Sequence, residues 1–379
     1  MNDIVAVPNA DLTVVDGNMS RWSHADYRRH GWHHLHQIAR YGSSFRAART
    51  MLLEKRMDLR IAQLEDVGHF TALPSFSAMV IIRGQHILFE RYACDFGKDQ
   101  PHSIQSITKT IINLIIGQLV EDGVLDLSRR VEDYIPEIGS GYAKATLQQV
   151  LNMDVANEYS EDFSDPWCTY YRHEEVMGWR LPQNPQIEIS QREFITQIAS
   201  PDTTNRSGHI QYKDANTDVM GWVVERASGR PLRSFLADIA DAAGVEKALH
   251  VTTDREGIPW LAGGACLTAR DLARLVSLFV RRGRGISGER VGSAVFIEQT
   301  PTAGVPMPEP YECLRYSNHL MVTGHHVGHS GWGGQCALAD LDTGTIGVYL
   351  SVVEDQHAAT PGHMVPIMRM LKAITSTQS

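Results

Sequence analysis

No stretch of the chain is apolar for long enough to span a membrane, which takes about 18 consecutive apolar residues. The longest apolar run, Ile111 to Val120, is interrupted by Asn113, Gly117 and Gln118. An excess of positive charge is also missing: 35 Lys and Arg stand against 44 Asp and Glu, a net charge of -9 at neutral pH. Phosphate backbones bind basic surfaces, so neither nucleic acid nor a membrane is the expected partner. Cysteine is scarce. Cys94, Cys168, Cys266, Cys313 and Cys336 are odd in number and scattered, and no CxxC occurs. That pattern fits reduced thiols and not a disulfide framework or a zinc site. The opening MNDIVAVPNADLTVVDG has no basic segment followed by an apolar one. No signal peptide is read there, and a cytoplasmic location is expected. Internal repeats and low-complexity tracts are absent as well.

What is present is an ordinary globular composition, 43% hydrophobic and 21% charged, over 379 residues. That length allows one large core or two lobes sharing one. The first 70 residues are rich in charge and histidine. In RHGWHHLHQIARYG, His33 and His36 can share one helical face. A metal site would need a carboxylate or Cys at ligand spacing nearby, and none stands there. A packed or solvated helix is the preferred reading, with no metal and no cofactor expected.

The periodicities order the rest. FSAMVIIRGQHILFERY (76–92) reads as a hairpin, two β-branched runs around Gly84-Gln85, with Gly first as a type II′ turn requires. An apolar helix follows from about Ser106. Residues from about 125 to 300 look mainly helical with long loops. NTDVMGWVVERASG (216–229) is one helix, closed by Gly229. CLTARDLARLVSLFVRRGRG (266–285) is another: Thr268 and Asp271 resemble a capping box, Leu272, Leu275, Val276 and Phe279 form a stripe, and Gly283 suits the C′ position. QCALADL (335–341) and TIGVYLSVV (345–353) are strands joined by DTG, and a last helix runs from about Gly362 to Ile374. The expected fold is α+β: an antiparallel sheet built from both chain ends (1–125 and 300–379), flanked by helices, with a mainly helical domain (126–299) inserted and a site between them.

Three stretches carry candidate chemistry. In QSITKT, Ser106 and Lys109 lie three residues apart on one helical face. Ser106 near the first turn would sit at the positive end of the helix dipole. Apolar neighbours on every side would bury Lys109, and a neutral amine can accept a serine proton. Capping by Ser106 with a snorkelling Lys109 is the plainer reading. In YKDANTDVMGW, Tyr212 precedes a helix and could relay protons beside a cation; alone, such a tyrosine is usually packing. GHSGWGGQ (328–335) nearly matches the elbow GxSxG, which would make Ser330 a nucleophile. It fails because Trp332 occupies the last glycine's place and strands follow. The GxGxxG at 283–288 follows a helix with no strand before it, so it reads as a turn and not a dinucleotide site.

Together and in this order, these stretches resemble the serine β-lactamase and penicillin-binding-protein superfamily, whose motifs are SxxK, a tyrosine motif and a K/H-x-G strand. Within it the chain is similar to the class C-type branch, which includes nylon-oligomer (6-aminohexanoate-dimer) hydrolases and family VIII-type esterases. QSITKT, YSEDFSDPW, YKDANTDVMGWVVERASGRPL, GGACLTARDLARL and HSGWGGQ carry the likeness, over about residues 76 to 353. The resemblance implies that Ser106 is the acylated nucleophile and that Lys109 and Tyr212 share the work of general base and acid. It makes His329-Ser330-Gly331 the K/H-x-G strand and the backbone N–H groups of Ser106 and Trp332 the oxyanion hole. His329, Gly331, Asp214 and Phe163 would face the substrate.

Three departures stand out. Asp214 takes a place that usually holds Asn or Ser. It could pair with Lys109 and keep it charged, favouring a Tyr212 phenolate as base, or point away and leave the role to Asn216. Met153-Asp154-Val155-Ala156 replaces an MTSG-like turn. Phe163 stands where the nylon-oligomer hydrolases have a tyrosine that helps hold an amide. The expected function is a serine hydrolase cleaving a small ester or amide. Acyl transfer from the same acyl-enzyme is the alternative, with a non-catalytic binding or sensor module as the reading from a different class. The expected partner is a small-molecule ester or amide, and a homodimer is left open.

Overall fold

The computed structural model describes residues 19–184, 187–354 and 361–377. The stretch inspected above for a signal peptide lies outside the described residues. The strands are β1 (Gly42–Phe45), β2 (Glu54–Lys55), β3 (Phe76–Arg83), β4 (His86–Tyr92), β5 (His102–Ser103), β6 (Leu249–Thr252), β7 (Ala265–Leu267), β8 (Val305–Pro306), β9 (Arg315–Ser317), β10 (Leu320–Thr323), β11 (His326–Gly331), β12 (Gln335–Asp340) and β13 (Thr345–Ser351). The helices that position the site are α1 (Arg28–Ile38), α2 (Thr110–Glu121), α3 (Thr169–Val176), α4 (Asp214–Ser228), α5 (Leu232–Ala243), α6 (Ala269–Val280) and α7 (Pro361–Thr375).

The main sheet has nine strands in the order β2-β4-β3-β13-β12-β11-β10-β9-β8. All neighbours are antiparallel except the short β2–β4 pair. It is the α+β arrangement expected, a sheet assembled from both ends of the chain. The hairpin turns where its glycine predicts: Gly84 takes φ +56, while Gln85 keeps an ordinary backbone. Successive residues of a strand face opposite sides, and both sides are covered here. Val80 and Val348 are partners in one layer; Met79 and Tyr349, the next pair, are partners in the other. α6 covers the first face with Leu272, Leu275, Val276 and Phe279, all buried. α7 covers the second with Met364, Ile367 and Leu371. A buried leucine such as Leu275 contributes about 2–5 kcal/mol when measured by truncation to alanine.

A second, four-stranded sheet, β1-β6-β7-β5, was not read from the sequence. It ties β6 and β7 to β1, from the N-terminal region, and to β5, just before the Ser106 turn. α6 starts at the expected cap, with Thr268 Oγ1 accepting the Asp271 N–H at 3.0 Å. Its end departs by one residue: Arg282 takes the left-handed φ of +55 directly after the cap residue Arg281, and Gly283 follows at +74. The 283–288 glycines form that turn and its continuation, with Arg284 bridging to Arg290. All five cysteines are free. Among the described residues, no helix is long and apolar enough to cross a membrane.

Candidate active site

The serine and lysine of QSITKT do not sit in an α-helix. Gln105–Lys109 is a 3-10 turn that runs into α2. In a 3-10 helix, residues i and i+3 eclipse one another, so Lys109 lies directly over Ser106. Lys109 Nζ is 3.0 Å from Ser106 Oγ. The turn is held by its surroundings. Gln105, at φ +48, donates through its amide to Ser103 Oγ at 2.8 Å. Thr108 Oγ1 receives the Ala265 N–H at 3.1 Å, which fastens β7 to the turn. β11 packs against it from the other side, and only glycine fits at that approach. A Cβ on Gly331 would stand 2.7 Å from the Ile104 carbonyl oxygen.

Lys109 is fully buried. Its ammonium donates to Ser106 Oγ, to Asp214 Oδ1 at 2.6 Å and to the Ala262 carbonyl at 2.6 Å. Asp214, the first residue of α4, therefore points at the lysine. Asn216 turns elsewhere: it accepts from the Tyr142 hydroxyl at 2.8 Å and donates to the Val150 carbonyl. Tyr212 lies against the same ammonium, 4.9 Å from Nζ to its ring centroid. Its hydroxyl is buried beside Ser106 without a hydrogen-bond partner of good geometry. Burial, with Asp214 and Glu161 close by, holds that phenol well above its usual range. The phenolate considered from the sequence is thus opposed by two carboxyl groups and by desolvation.

His329 and Gly331 lie on β11, and Trp332 follows it. His329 is buried between the Tyr316 hydroxyl at Nε2, 3.1 Å, and the Ser330 carbonyl at Nδ1, 2.5 Å. The carbonyl only accepts, so Nδ1 carries the proton and Nε2 receives the Tyr316 O–H. Burial pushes the imidazole down to about 3, and it stays neutral. Ser330 extends from the same strand toward Met321 Sδ at 3.4 Å, and among the described residues no base is hydrogen-bonded to its hydroxyl. Phe163 reaches the site from the 152–168 loop and stacks on Trp332.

These groups open onto one cavity of about 310 Å³. Its walls are mostly aromatic and aliphatic: Phe163, Tyr170, Trp179, Tyr311, Met307 and Trp332. Ser106, Tyr212, Asp214, His329 and Gly331 all border it, so every candidate except the lysine behind Ser106 lines a single space.

Sequence reasoning passed over several contributors. Glu161 lies in the quoted YSEDFSDPW, borders the cavity and accepts the Asp214 backbone N–H at 2.5 Å. Desolvation and the adjacent Asp214 raise its carboxyl well above the usual range. Ala262 offers only a carbonyl, which no side-chain pattern marks. Trp32 of α1 donates through Nε1 to the Trp332 carbonyl at 3.1 Å, so the N-terminal region props the peptide after Gly331. The histidines of that region serve packing: His33 meets Ser77 Oγ at 3.1 Å, and His36 stacks on His250 with centroids 4.6 Å apart.

A family model described as Beta-lactamase matches residues 62–361. The 6-aminohexanoate-dimer hydrolase of Paenarthrobacter ureafaciens is 30% identical over 339 residues, 84% of this chain and 84% of that protein. A solved structure from Bacillus anthracis, provisionally named a 6-aminohexanoate-dimer hydrolase, superposes with a TM-score of 0.82 at 17% identity, covering 98% of each chain. A family VIII carboxylesterase gives a TM-score of 0.57 at 15% identity, over 85% of this chain and 97% of that one. At such identities the two structures speak for the fold.

Proposed function

The chain belongs to the beta-lactamase family and is a serine-type hydrolase, and from that premise we propose that it cleaves a small ester or amide through an acyl-enzyme on Ser106. The observation that carries this reading is the buried Lys109 nitrogen 3.0 Å from Ser106 Oγ, at the wall of an apolar cavity. A lysine buried there is costly unless it is used or paired.

In the proposed reaction, Ser106 Oγ attacks the substrate carbonyl carbon as its proton passes to Lys109. The carbonyl π electrons move to oxygen, and the backbone N–H groups of Ser106 and Trp332 receive the oxyanion. Such a donor typically contributes about 100-fold or more to the rate. The tetrahedral intermediate collapses, the bond to the leaving alkoxide or amine breaks, and that group takes a proton from Lys109 directly or through the Tyr212 hydroxyl. A water molecule then repeats the sequence and frees the acid. Glycine at 331 lets the strand lie close enough to the Ser106 turn for both oxyanion donors to border one cavity.

The aromatic walls also suit an apolar alcohol or amine in place of that water, which would make the product an ester or amide. Added acceptors with product analysis distinguish this from hydrolysis. The main test is intact mass after a fluorophosphonate probe or a p-nitrophenyl ester. One adduct per chain is expected, lost in Ser106→Ala and kept in Ser330→Ala. Label retained in Ser106→Ala and lost in Ser330→Ala would overturn the nucleophile, and no label on any variant would favour a binding module.

A further inference from the structure

We propose that Asp214 holds the proton that Lys109 must shed, so that the base of acylation is a neutral Lys109–Asp214 couple and not a lysine waiting for alkaline pH. This rests on the Ser106 reading above and specifies its base.

An ammonium has three N–H donors and no acceptor. All three are satisfied, by Ser106 Oγ at 3.0 Å, Asp214 Oδ1 at 2.6 Å and the Ala262 carbonyl at 2.6 Å. In that state no lone pair faces the serine. Moving one proton from Nζ to the Asp214 carboxylate leaves an amine with two N–H groups and one lone pair. With the acid proton carried on Oδ2, Oδ1 stays an acceptor, and a turn about the Cε–Nζ bond keeps the N–H groups on Asp214 Oδ1 and Ala262 and aims the lone pair at the Ser106 hydroxyl. The ammonium and carboxylate become an amine and a carboxylic acid. The net charge of the buried site does not change, so the transfer adds no unpaired ion to a low-dielectric interior.

The subsequent steps balance. Ser106 O–H gives its proton to the amine as Oγ bonds to the carbonyl carbon, producing an ammonium and an oxyanion. The ammonium returns that proton to the leaving group when the tetrahedral intermediate breaks. Asp214 keeps its proton throughout, and the couple is ready for the attack of water.

Acidic and phenolic groups crowd around Asp214. Glu161 from the 152–168 loop accepts its backbone N–H at 2.5 Å. Asp218 lies one turn further along α4, with its Oδ2 2.6 Å from Nε2 of His173 on α3. Tyr159 and Tyr170 face it from the loop and α3, Tyr212 from its own segment and Tyr316 from the sheet; Lys109 is the only cation bonded to it among the described residues. Burial, and after it the neighbouring Asp214, raises both Glu161 and Asp218 above their usual range. The neighbouring Lys213 turns to the Tyr159 carbonyl at 2.6 Å.

The test is the pH profile of acylation, from about pH 5 to 10, for the wild type and Asp214→Asn. Asparagine keeps the shape and accepts from Lys109 but cannot hold the proton. Wild-type acylation is expected to be level across neutral pH. Asp214→Asn should be slower by about 100-fold at pH 7, climb about tenfold per pH unit into the alkaline range, and leave KM unchanged. Asp214→Glu should recover part of the neutral-pH rate. Loss of a merely structural aspartate would lower the rate by the same factor at every pH. An Asp214→Asn enzyme within threefold of the wild type at pH 7, with the same profile, overturns the couple while labelling of Ser106 persists. A wild type that never labels on Ser106 overturns the nucleophile reading and the couple together. Should Asp214→Asn not fold, Asp214→Ser must show the same alkaline climb, and a level profile there overturns the couple.

Discussion

Phe163 stacks on Trp332 with ring centroids 6.1 Å apart and planes 25° from parallel. It also meets Tyr170 edge-on, at 5.0 Å and 89°. Phe163 thus closes one side of the cavity while remaining 47% exposed. Phe163→Ala should raise KM for an apolar p-nitrophenyl ester by about tenfold, the worth of one aromatic contact, with kcat nearly unchanged. Phe163→Tyr adds a hydroxyl to that wall, where its oxygen can accept from an amide N–H that an ester lacks. One good hydrogen bond is worth about 1 kcal/mol. The ratio of kcat/KM on an anilide to that on the matched ester should therefore rise by roughly five- to tenfold. An unchanged ratio would refute this placement of the residue.

No lysine or arginine lines the cavity among the described residues, whereas Glu161 and Asp214 do. His329 is locked neutral by Tyr316 and Ser330. A substrate carboxylate would be desolvated there with no cation to receive it, a penalty of several kcal/mol. Matched p-nitrophenyl esters of butyric acid and glutaric acid should differ by about 100-fold in kcat/KM, the anionic one being poorer. Met307→Lys, which places a cation in the wall, should narrow the gap. Equal rates on the two esters would sink the electrostatic argument.

Much of this was legible because it is local. The 76–92 hairpin announces itself by β-branched runs around a glycine, and α6 by its Thr268 cap and apolar stripe. Ser106 and Lys109 are visible through their spacing. What was hidden depends on distant partners. Trp32 and the Trp332 carbonyl are 300 positions apart. Glu161 is one acid among several in a loop, and only folding places its oxygen on the Asp214 N–H. β5 and β7 are two and three residues long, too short for an alternating pattern to stand out. The α6 terminus was misjudged by one residue because Arg282, not glycine, adopts the first left-handed position.

Behind the site, His173 Nε2 lies 2.6 Å from Asp218 Oδ2, and neither side chain reaches solvent. The Tyr159 hydroxyl meets His173 Nδ1 at 2.9 Å, and Phe194 stacks on the imidazole with centroids 4.8 Å apart. Removing one partner of a buried pair leaves the other uncompensated, at about 3–5 kcal/mol. His173→Ala should lose that much stability in urea unfolding. Asp218→Asn, which keeps a polar partner for the ring, should lose less. If His173→Ala costs under about 1 kcal/mol, the pair is not the support of α3 on α4 that its geometry implies.

The buried histidines set the response of the fold to acid. Burial pushes His33 down to about 2, His36 and His102 to about 4, and His319 and His329 to about 3. The unfolded chain binds these protons near pH 6.5; the folded chain resists them until pH 4 or below. Between those limits the unfolded state carries more protons, so stability rises with pH and is lost as pH falls from about 6.5. Each such group contributes up to about 1.4 kcal/mol per pH unit. Glu161, Glu174 and Asp218 act in the opposite sense, because burial raises them and the folded state retains their protons above the usual carboxylate range. Five histidines outweigh three carboxyl groups, and below about pH 4.5 the unfolded carboxylates protonate as well and that opposition fades. The melting temperature should therefore drop steadily from pH 7 to pH 4.5. His319 isolates one histidine's share, since it is fully enclosed between the Leu151 carbonyl at 3.0 Å and Thr217 Oγ1 at 3.1 Å. His319→Gln cannot take up the proton in either state, so its stability should fall less steeply across that range. A wild type whose stability is level or rises toward acid would show that the histidines do not govern this transition.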